Sequence, residues 1–310
     1  MMYYFIVNPS SSSGHGSHPW KEVKHLLDYK NIPYHAAFTR KDGDASRLAA
    51  KASAKASSEN PCTVVAVGGD GTANEVLNGL HLSPYLNFGY IPAGSGNDLA
   101  KGLGLPLDPA LALDHILHPE NIRPVRIGRT KTTEGIVRRF LISSGQGFDA
   151  AVCHDSHHSG TKNLLNRLGL GKLTYLATAL QTLIHLKGTP ASLTLDDGPA
   201  HFYDSTFFTA FMNMRYEGGG FMFCPDADPC DDCLDVCVVE KMPKLKVLLL
   251  LPTAFFGKHV RFSDVIHIYR CKKAVLRAET ALHVHTDGEG LGPQKTIEVS
   301  LEPQTLSFLN

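Results

Sequence analysis

The sequence predicts an α/β chain followed by a β chain: an N-terminal αβα doubly wound domain over residues 1–124, then a C-terminal antiparallel β-sandwich domain over residues 125–310. Three observations carry this. Strand-like and helix-like segments alternate through the first third, as in a parallel sheet covered on both faces. After Arg123-Pro124 the texture changes to short alternating runs punctuated by turn residues. The third is Val64–Leu80, VVAVGGDGTANEVLNGL, where a buried strand breaks into glycines and restarts with helical spacing.

In chain order, Tyr3–Val7 is an apolar strand stopped by Asn8-Pro9, and Ser10–Gly16 is a polar turn. Trp20, Val23, Leu26 and Leu27 give one helical face. Tyr34, Ala36 and Phe38 alternate as a strand ending at Thr39. A helix follows, capped by Asp42 or Asp44, with Ala45, Leu48, Ala49 and Ala52 inward. Strand Cys62–Val67 leads into Gly68-Gly69-Asp70-Gly71-Thr72, and Asn87–Ile91 leads into Pro92-Ala93-Gly94-Ser95-Gly96-Asn97-Asp98 and a short helix. Asp108-Pro109 pairs a cap with proline at the first helical position. In parallel sheets the ligand lies at the carboxyl ends of the strands, where Asn8, Thr39, Asp70 and the Gly94–Asp98 loop all fall.

The second half offers strands at Arg139–Ser143, Ser192–Leu195, Phe207–Met212, Leu234–Val239, Val265–Tyr269, Ala274–Ala278, Leu282–His285 and Thr296–Leu301. Arg123–Gly128 is the expected crossing strand, and helices are expected near Lys172–Leu186 and Lys244–Phe256. The extreme C-terminal tail is free to pack back on the first domain.

Thirty Lys and Arg balance thirty Asp and Glu. Net charge therefore points to no nucleic acid, and any membrane attraction must come from local patches. The longest apolar run, Val247–Phe256, is about half a spanning helix. The start, MMYYFIVNP, lacks the features of a signal peptide. A soluble, cytoplasmic protein is expected. Cys224, Cys230, Cys233 and Cys237 are read as reduced structural thiols, with zinc the weaker reading for want of a second CxxC.

A strand that turns through glycines into a helix exposes backbone N–H groups with the helix dipole behind them, an anion site suited to phosphates. A carboxylate in that turn is repelled by phosphates unless a cation lies between. Asp70 therefore points to nucleotide phosphates with Mg²⁺.

VNPSSSSGHG, GGDGTANEVLNG and PAGSGNDLAKGLGLP, in that order and spacing, resemble the diacylglycerol kinase catalytic-domain family, which includes bacterial lipid kinases and the sphingosine and ceramide kinases. The resemblance continues through Gly147-Phe148-Asp149-Ala150, Gly218-Gly219-Gly220 with Pro225 and Ala227, Asp231–Val236, Gly257-Lys258-His259 and Thr286-Asp287-Gly288-Glu289. It implies an ATP- and Mg-dependent kinase acting on the free hydroxyl of a membrane lipid, most simply diacylglycerol. ATP would be bound by Asn8, Thr39, Gly68, Gly69, Asp70, Gly71, Thr72, Glu75, Gly94, Ser95, Asn97 and Asp98. Asp287 would be the base that accepts the lipid hydroxyl's proton, with Glu289 close by; read from residues alone, Asp287-Gly288 is equally a plain hairpin turn. Metal would be held by Asp70 and, in a second site, by the Asp231 carboxylate with the neighbouring carbonyls of Asp228 and Cys233, although Asp232 stands where the family has glycine.

Two other readings compete: a soluble-substrate kinase of NAD kinase type, and a lipid-binding regulator without catalysis. His283 and His285 alternate just before Asp287 and are read as neighbours of the site more readily than as metal ligands. A membrane-bound substrate implies peripheral, transient membrane association, and a homodimer is compatible with the chain. Lys162–Lys172, KNLLNRLGLGK, is the expected interfacial segment, set against a loop packed under a helix.

Overall fold

The computed structural model describes residues 2–11, 17–148, 150 and 187–310. The expected helix near Lys172–Leu186, the Lys162–Lys172 stretch and most of the Ser10–Gly16 turn lie outside the described residues. The chain separates into two compact units, Met1–Arg126 with Pro303–Asn310, and Ile127–Glu302.

The first unit is a six-stranded sheet in the order β2-β1-β3-β4-β15-β5. Its strands are β1 (Met2–Val7), β2 (Tyr34–Phe38), β3 (Cys62–Gly68), β4 (Leu86–Pro92), β15 (Leu306–Leu309) and β5 (Ile122–Val125). All pair in parallel except β5, which runs antiparallel to β15 at the edge. An edge is where Pro124, with no N–H to donate, is tolerated. Helices α1 (Ser17–Tyr29), α2 (Asp44–Ser53), α3 (Asp70–Gly79), α4 (Asp98–Leu103) and α5 (Pro109–Leu117) connect the strands. Because β side chains alternate, Phe5, Val7, Val65 and Val67 bury against Trp20, Val23 and Leu27 of α1 and Ala112, Leu113 and Ile116 of α5. The opposite face, with Ile6, Val64 and Ala66 fully buried, takes α2 and α3. Leu309 joins the α1/α5 core and Phe308 packs edge-on against Phe88, which fastens the C-terminal tail into this sheet.

The second unit holds β6 (Gly128–Thr132), β7 (Val137–Phe140), β8 (Ser143–Gly147), β9 (Thr189–Leu195), β10 (Ala200–Met212), β11 (Leu234–Glu240), β12 (Ile266–Cys271), β13 (Lys273–Thr286) and β14 (Glu289–Leu301). They form an antiparallel, β-sandwich-type domain. The long strands β10 and β13 are bridged by β8 at one end and by β9 at the other. The bulges near Tyr203–Thr206 and Arg277–Leu282 sit where the bridging strand changes. Alternation along β10 and β11 feeds two cores. Phe211, Val236 and Val238 point into one, with Leu276 and Ile297. Ala210, Met212, Cys237 and Val239 point into the other, under helix α6 (Lys244–Ala254).

Several local expectations are corrected. Arg123–Gly128 is two strands, not one: β5 and β6 belong to different sheets, and the chain passes between units at Arg126–Ile127. Neither Asp42 nor Asp44 caps α2; Gly43 does, at φ 80°, and Asp44 is the first helical residue. Ala274–Ala278 and Leu282–His285 are one strand whose register shifts between them. The run Arg139–Ser143 breaks at Leu141-Ile142, whose backbone N–H groups have a different partner, described next.

Candidate active site

In the first unit, four parallel strands end together. Asn8 N–H donates to Val67 O and Thr39 N–H to Val7 O, both at 2.9 Å, so the strand ladder continues one residue past β1 and β2. Across the gap between β1 and β3, Asn8 Nδ2 donates to Thr72 Oγ1 at 3.0 Å. Sheet order reverses there, which is the switch point at which open α/β sheets bind ligands.

Two glycine loops meet above these ends. A Cβ on Gly94 would lie 2.6 Å from Gly69 Cα, an approach that requires glycine at 94, and one on Gly69 would lie 3.3 Å from Gly94 Cα. Ala93 N–H and the buried Tyr90 hydroxyl both donate to Gly68 O, at 2.7 and 3.1 Å. Burial, aided by Asp70 and Asp98, pushes the Tyr90 phenol well above its usual value, so it remains a donor. Asn97, at φ 52°, closes its loop on itself: Oδ1 accepts Gly94 N–H and Nδ2 donates to Gly94 O, both at 3.0 Å. Ser95 stays exposed at the tip. Gly71 and Thr72 lie in the first turn of α3, where helix N–H groups point outward.

The acidic residues of this region have work of their own. Asp70 Oδ2 accepts Asp98 N–H and Oδ1 accepts Leu99 N–H, both at 3.1 Å, so Asp70 caps α4. Asp98 is buried and paired with Lys101 Nζ at 2.8 Å. Glu75 Oε2 accepts Gly43 and Ala45 N–H at 3.1 and 3.2 Å, which caps α2 from across the helix pair. Sequence spacing had no means of assigning these partners.

In the second unit, Thr286-Asp287-Gly288-Glu289 is a two-residue hairpin with φ 49° and 86° at its centre, a type I′ turn. The turn is also a clamp. Asp287 Oδ1 accepts Ile142 and Ser143 N–H at 2.8 and 3.0 Å, and Oδ2 accepts Leu141 N–H at 2.9 Å. These bonds occupy the N–H groups where the expected strand broke. Behind the turn, the fully buried His285 accepts Gly288 N–H on Nδ1 at 3.1 Å, so Nε2 carries the proton donated to Glu217 Oε1 at 3.1 Å. Both ring nitrogens are thereby used, and His285 is not a metal ligand. Asn213 Nδ2 holds Leu141 O at 2.8 Å. Sequence reading missed Glu217, Asn213 and Lys101 as supports; the position of His285, two residues before Asp287, was the available signal. Glu289 is half-buried at the start of β14.

At the expected second metal site the side chains have protein partners. Asp231 Oδ2 receives the Arg270 guanidinium, and Asp231 Oδ1 and Asp228 Oδ1 accept Cys233 and Cys230 N–H, each at 2.9 Å. Arg270 stands opposite Asp235 in the β11–β12 register and supplies the positive charge itself. Among the described residues no three His, Cys, Asp or Glu gather into a metal cage, zinc included. Cys224 and Cys237 pack in the apolar core, where burial raises the Cys224 thiol well above its usual value.

The sequence profile of the diacylglycerol kinase catalytic domain matches residues 2–130, and that of the YegS C-terminal NAD kinase beta sandwich-like domain matches residues 143–310. The chain belongs to the diacylglycerol kinase catalytic-domain family. Within this family of lipid kinases it is 31% identical over 272 residues to a diacylglycerol kinase of Mycobacterium tuberculosis, covering 86% of this chain and 81% of that one. It is 26% identical to a diacylglycerol kinase of Staphylococcus saprophyticus, covering 92% and 87%. The crystal structure of a diacylglycerol kinase from Bacillus anthracis shares the fold at a TM-score of 0.70 and 20% identity, covering 99% of this chain and 96% of that one. The first match falls mainly on the αβα unit and the second on the β-sandwich-type unit together with the Pro303–Asn310 tail, which belongs to the first unit.

Proposed function

We propose that this lipid kinase transfers the γ-phosphoryl group of Mg-ATP to the free hydroxyl of diacylglycerol, giving phosphatidic acid. The observation that carries the reading is the paired glycine loops at the switch point, Gly69 against Gly94, which leave room for phosphates beside the α3 N-terminus. The residues fit Mg²⁺. Asp70 places a carboxylate in the glycine turn at the α3 N-terminus, and a cation held mainly by phosphates and water needs no protein cage. Bound there, the ion would neutralise charge developing on the phosphoryl oxygens. Asp287 Oδ2 would take the proton of the attacking hydroxyl, held in position by the N–H groups of Leu141, Ile142 and Ser143. The bilayer origin of the substrate makes reversible, peripheral membrane association part of the same proposal.

Purified protein incubated with γ-labelled ATP and separate diacylglycerol, sphingosine, phosphatidylglycerol and NAD tests it. Label is expected in phosphatidic acid. Transfer to NAD alone would move the reading to the NAD kinase type, and no transfer to any acceptor would leave a binding protein.

A further inference from the structure

Helix α6, KLKVLLLLPTA, is apolar on both sides. Its inner stripe, Val247, Leu250 and Ala254, packs inward with the core of Phe208, Met212 and Cys237. The opposite stripe, at helical spacing, is Leu245, Leu248, Leu249 and Pro252, continued by Phe256. Leu245, Leu249 and Phe256 are 69%, 68% and 71% exposed, and Leu248 is 39% exposed. A surface helix ordinarily carries polar residues there, so a continuous apolar stripe marks a surface made to be covered.

Charge says by what. From Lys241 to Val265 there are five Lys or Arg and one acid, Asp264, which pairs with Lys246 at 2.7 Å. Lys258 lies over the Phe256 ring at 6.0 Å, and Lys258 and Arg261 are exposed beside Phe262. A cationic rim around an apolar ridge suits a bilayer, with side chains in the acyl boundary and cations among phosphates. A second copy docked by two-fold symmetry would set these cationic rims against each other.

We propose that the outer face of α6, with Phe256, Phe262, Lys258 and Arg261, is the surface by which this protein docks on a membrane carrying anionic phospholipid. The proposal extends the lipid-kinase reading, but it is tested without substrate. Flotation is measured with vesicles of phosphatidylcholine alone and with added phosphatidylglycerol, in the absence of ATP and diacylglycerol. Wild-type protein is expected to float with the anionic vesicles. Leu245→Gln/Leu249→Gln/Phe256→Gln and Lys244→Gln/Lys258→Gln/Arg261→Gln should each lower that partitioning about tenfold or more, with unchanged thermal melting. Absence of wild-type flotation, or wild-type flotation by both variants, overturns the proposal. So does a wild-type dimer that the leucine–phenylalanine variant dissociates without loss of vesicle binding. Phosphoryl transfer to detergent-dispersed diacylglycerol, read in parallel, reports on the kinase assignment independently of this surface.

Discussion

Asp287 clamps Leu141, Ile142 and Ser143, and in the proposed reaction it is also the base. In Asp287→Asn one amide oxygen continues to accept Ile142 and Ser143 N–H, while the amide nitrogen faces the Leu141 donor. Leaving that donor unmet costs about 1–3 kcal/mol. Losing the base costs about 10²–10⁴ in turnover. Calorimetry and steady-state kinetics should therefore show a modestly less stable protein with turnover nearly abolished and ATP affinity unchanged. Retention of half the wild-type rate would remove Asp287 from the chemistry. At Gly94 the limit is space. In Gly94→Ala the new methyl would approach Gly69 Cα and Asn97 Oδ1 at 2.6 and 2.9 Å, forcing the two loops apart. Nucleotide affinity is expected to fall, measured by ATP titration, while the fold of the first unit by circular dichroism persists.

Helix ends are where the elements of the first unit exchange carboxylates. Asp70 at the start of α3 caps α4, and Glu75 one turn later caps α2. Glu75→Gln keeps the shape but removes the charge from two N–H groups at a helix N-terminus, a loss of about 1 kcal/mol. Urea denaturation should detect that loss with little change in ATP affinity. A large affinity loss at unaltered stability would instead return Glu75 to nucleotide binding. In the second unit a chain of contacts joins α6 to the Asp287 turn. Ala254 O accepts Met222 N–H, Phe255 stacks on Phe221 at 4.0 Å, and Glu217, four residues before Phe221, holds His285. Helix α6 and the Asp287 turn are thus linked through one run of contacts.

Across the whole molecule, one buried acid sets a pH dependence. Asp235 is 3% exposed, and burial pushes its carboxyl from 3.8 up to about 6 although Arg270 opposes the shift. The folded state therefore holds a proton that the unfolded state has released. This contribution is full below about pH 4 and disappears as pH rises through 6, a loss of roughly 3 kcal/mol. His259, lowered by burial, acts with the opposite sign: its contribution is lost as pH falls below the usual histidine range. The comparison that isolates Asp235 is therefore between wild type and Asp235→Asn. Denaturation midpoints should fall more for wild type than for the variant between pH 5 and pH 7. Parallel curves would show that Asp235 ionises normally.

The sequence by itself determined the local grammar. Strand, glycine turn and helix at Val64–Leu80, the strand ends bearing Asn8 and Thr39, and the alternating runs after Pro124 were legible because a strand or helix writes its period into contiguous residues. The Asp-Gly pair at Asp287 was legible for the same reason, since a type I′ turn restricts its two central residues. Only the tertiary structure decided what each carboxylate touches. Asp70 meets α4, Glu75 meets α2, Asp231 meets Arg270, and Asp287 meets N–H groups 144 to 146 positions away. A charged side chain is written identically whether it binds metal, caps a helix or clamps a loop. Its partner is set by which distant group the fold brings within hydrogen-bond reach, and contiguous sequence does not encode that.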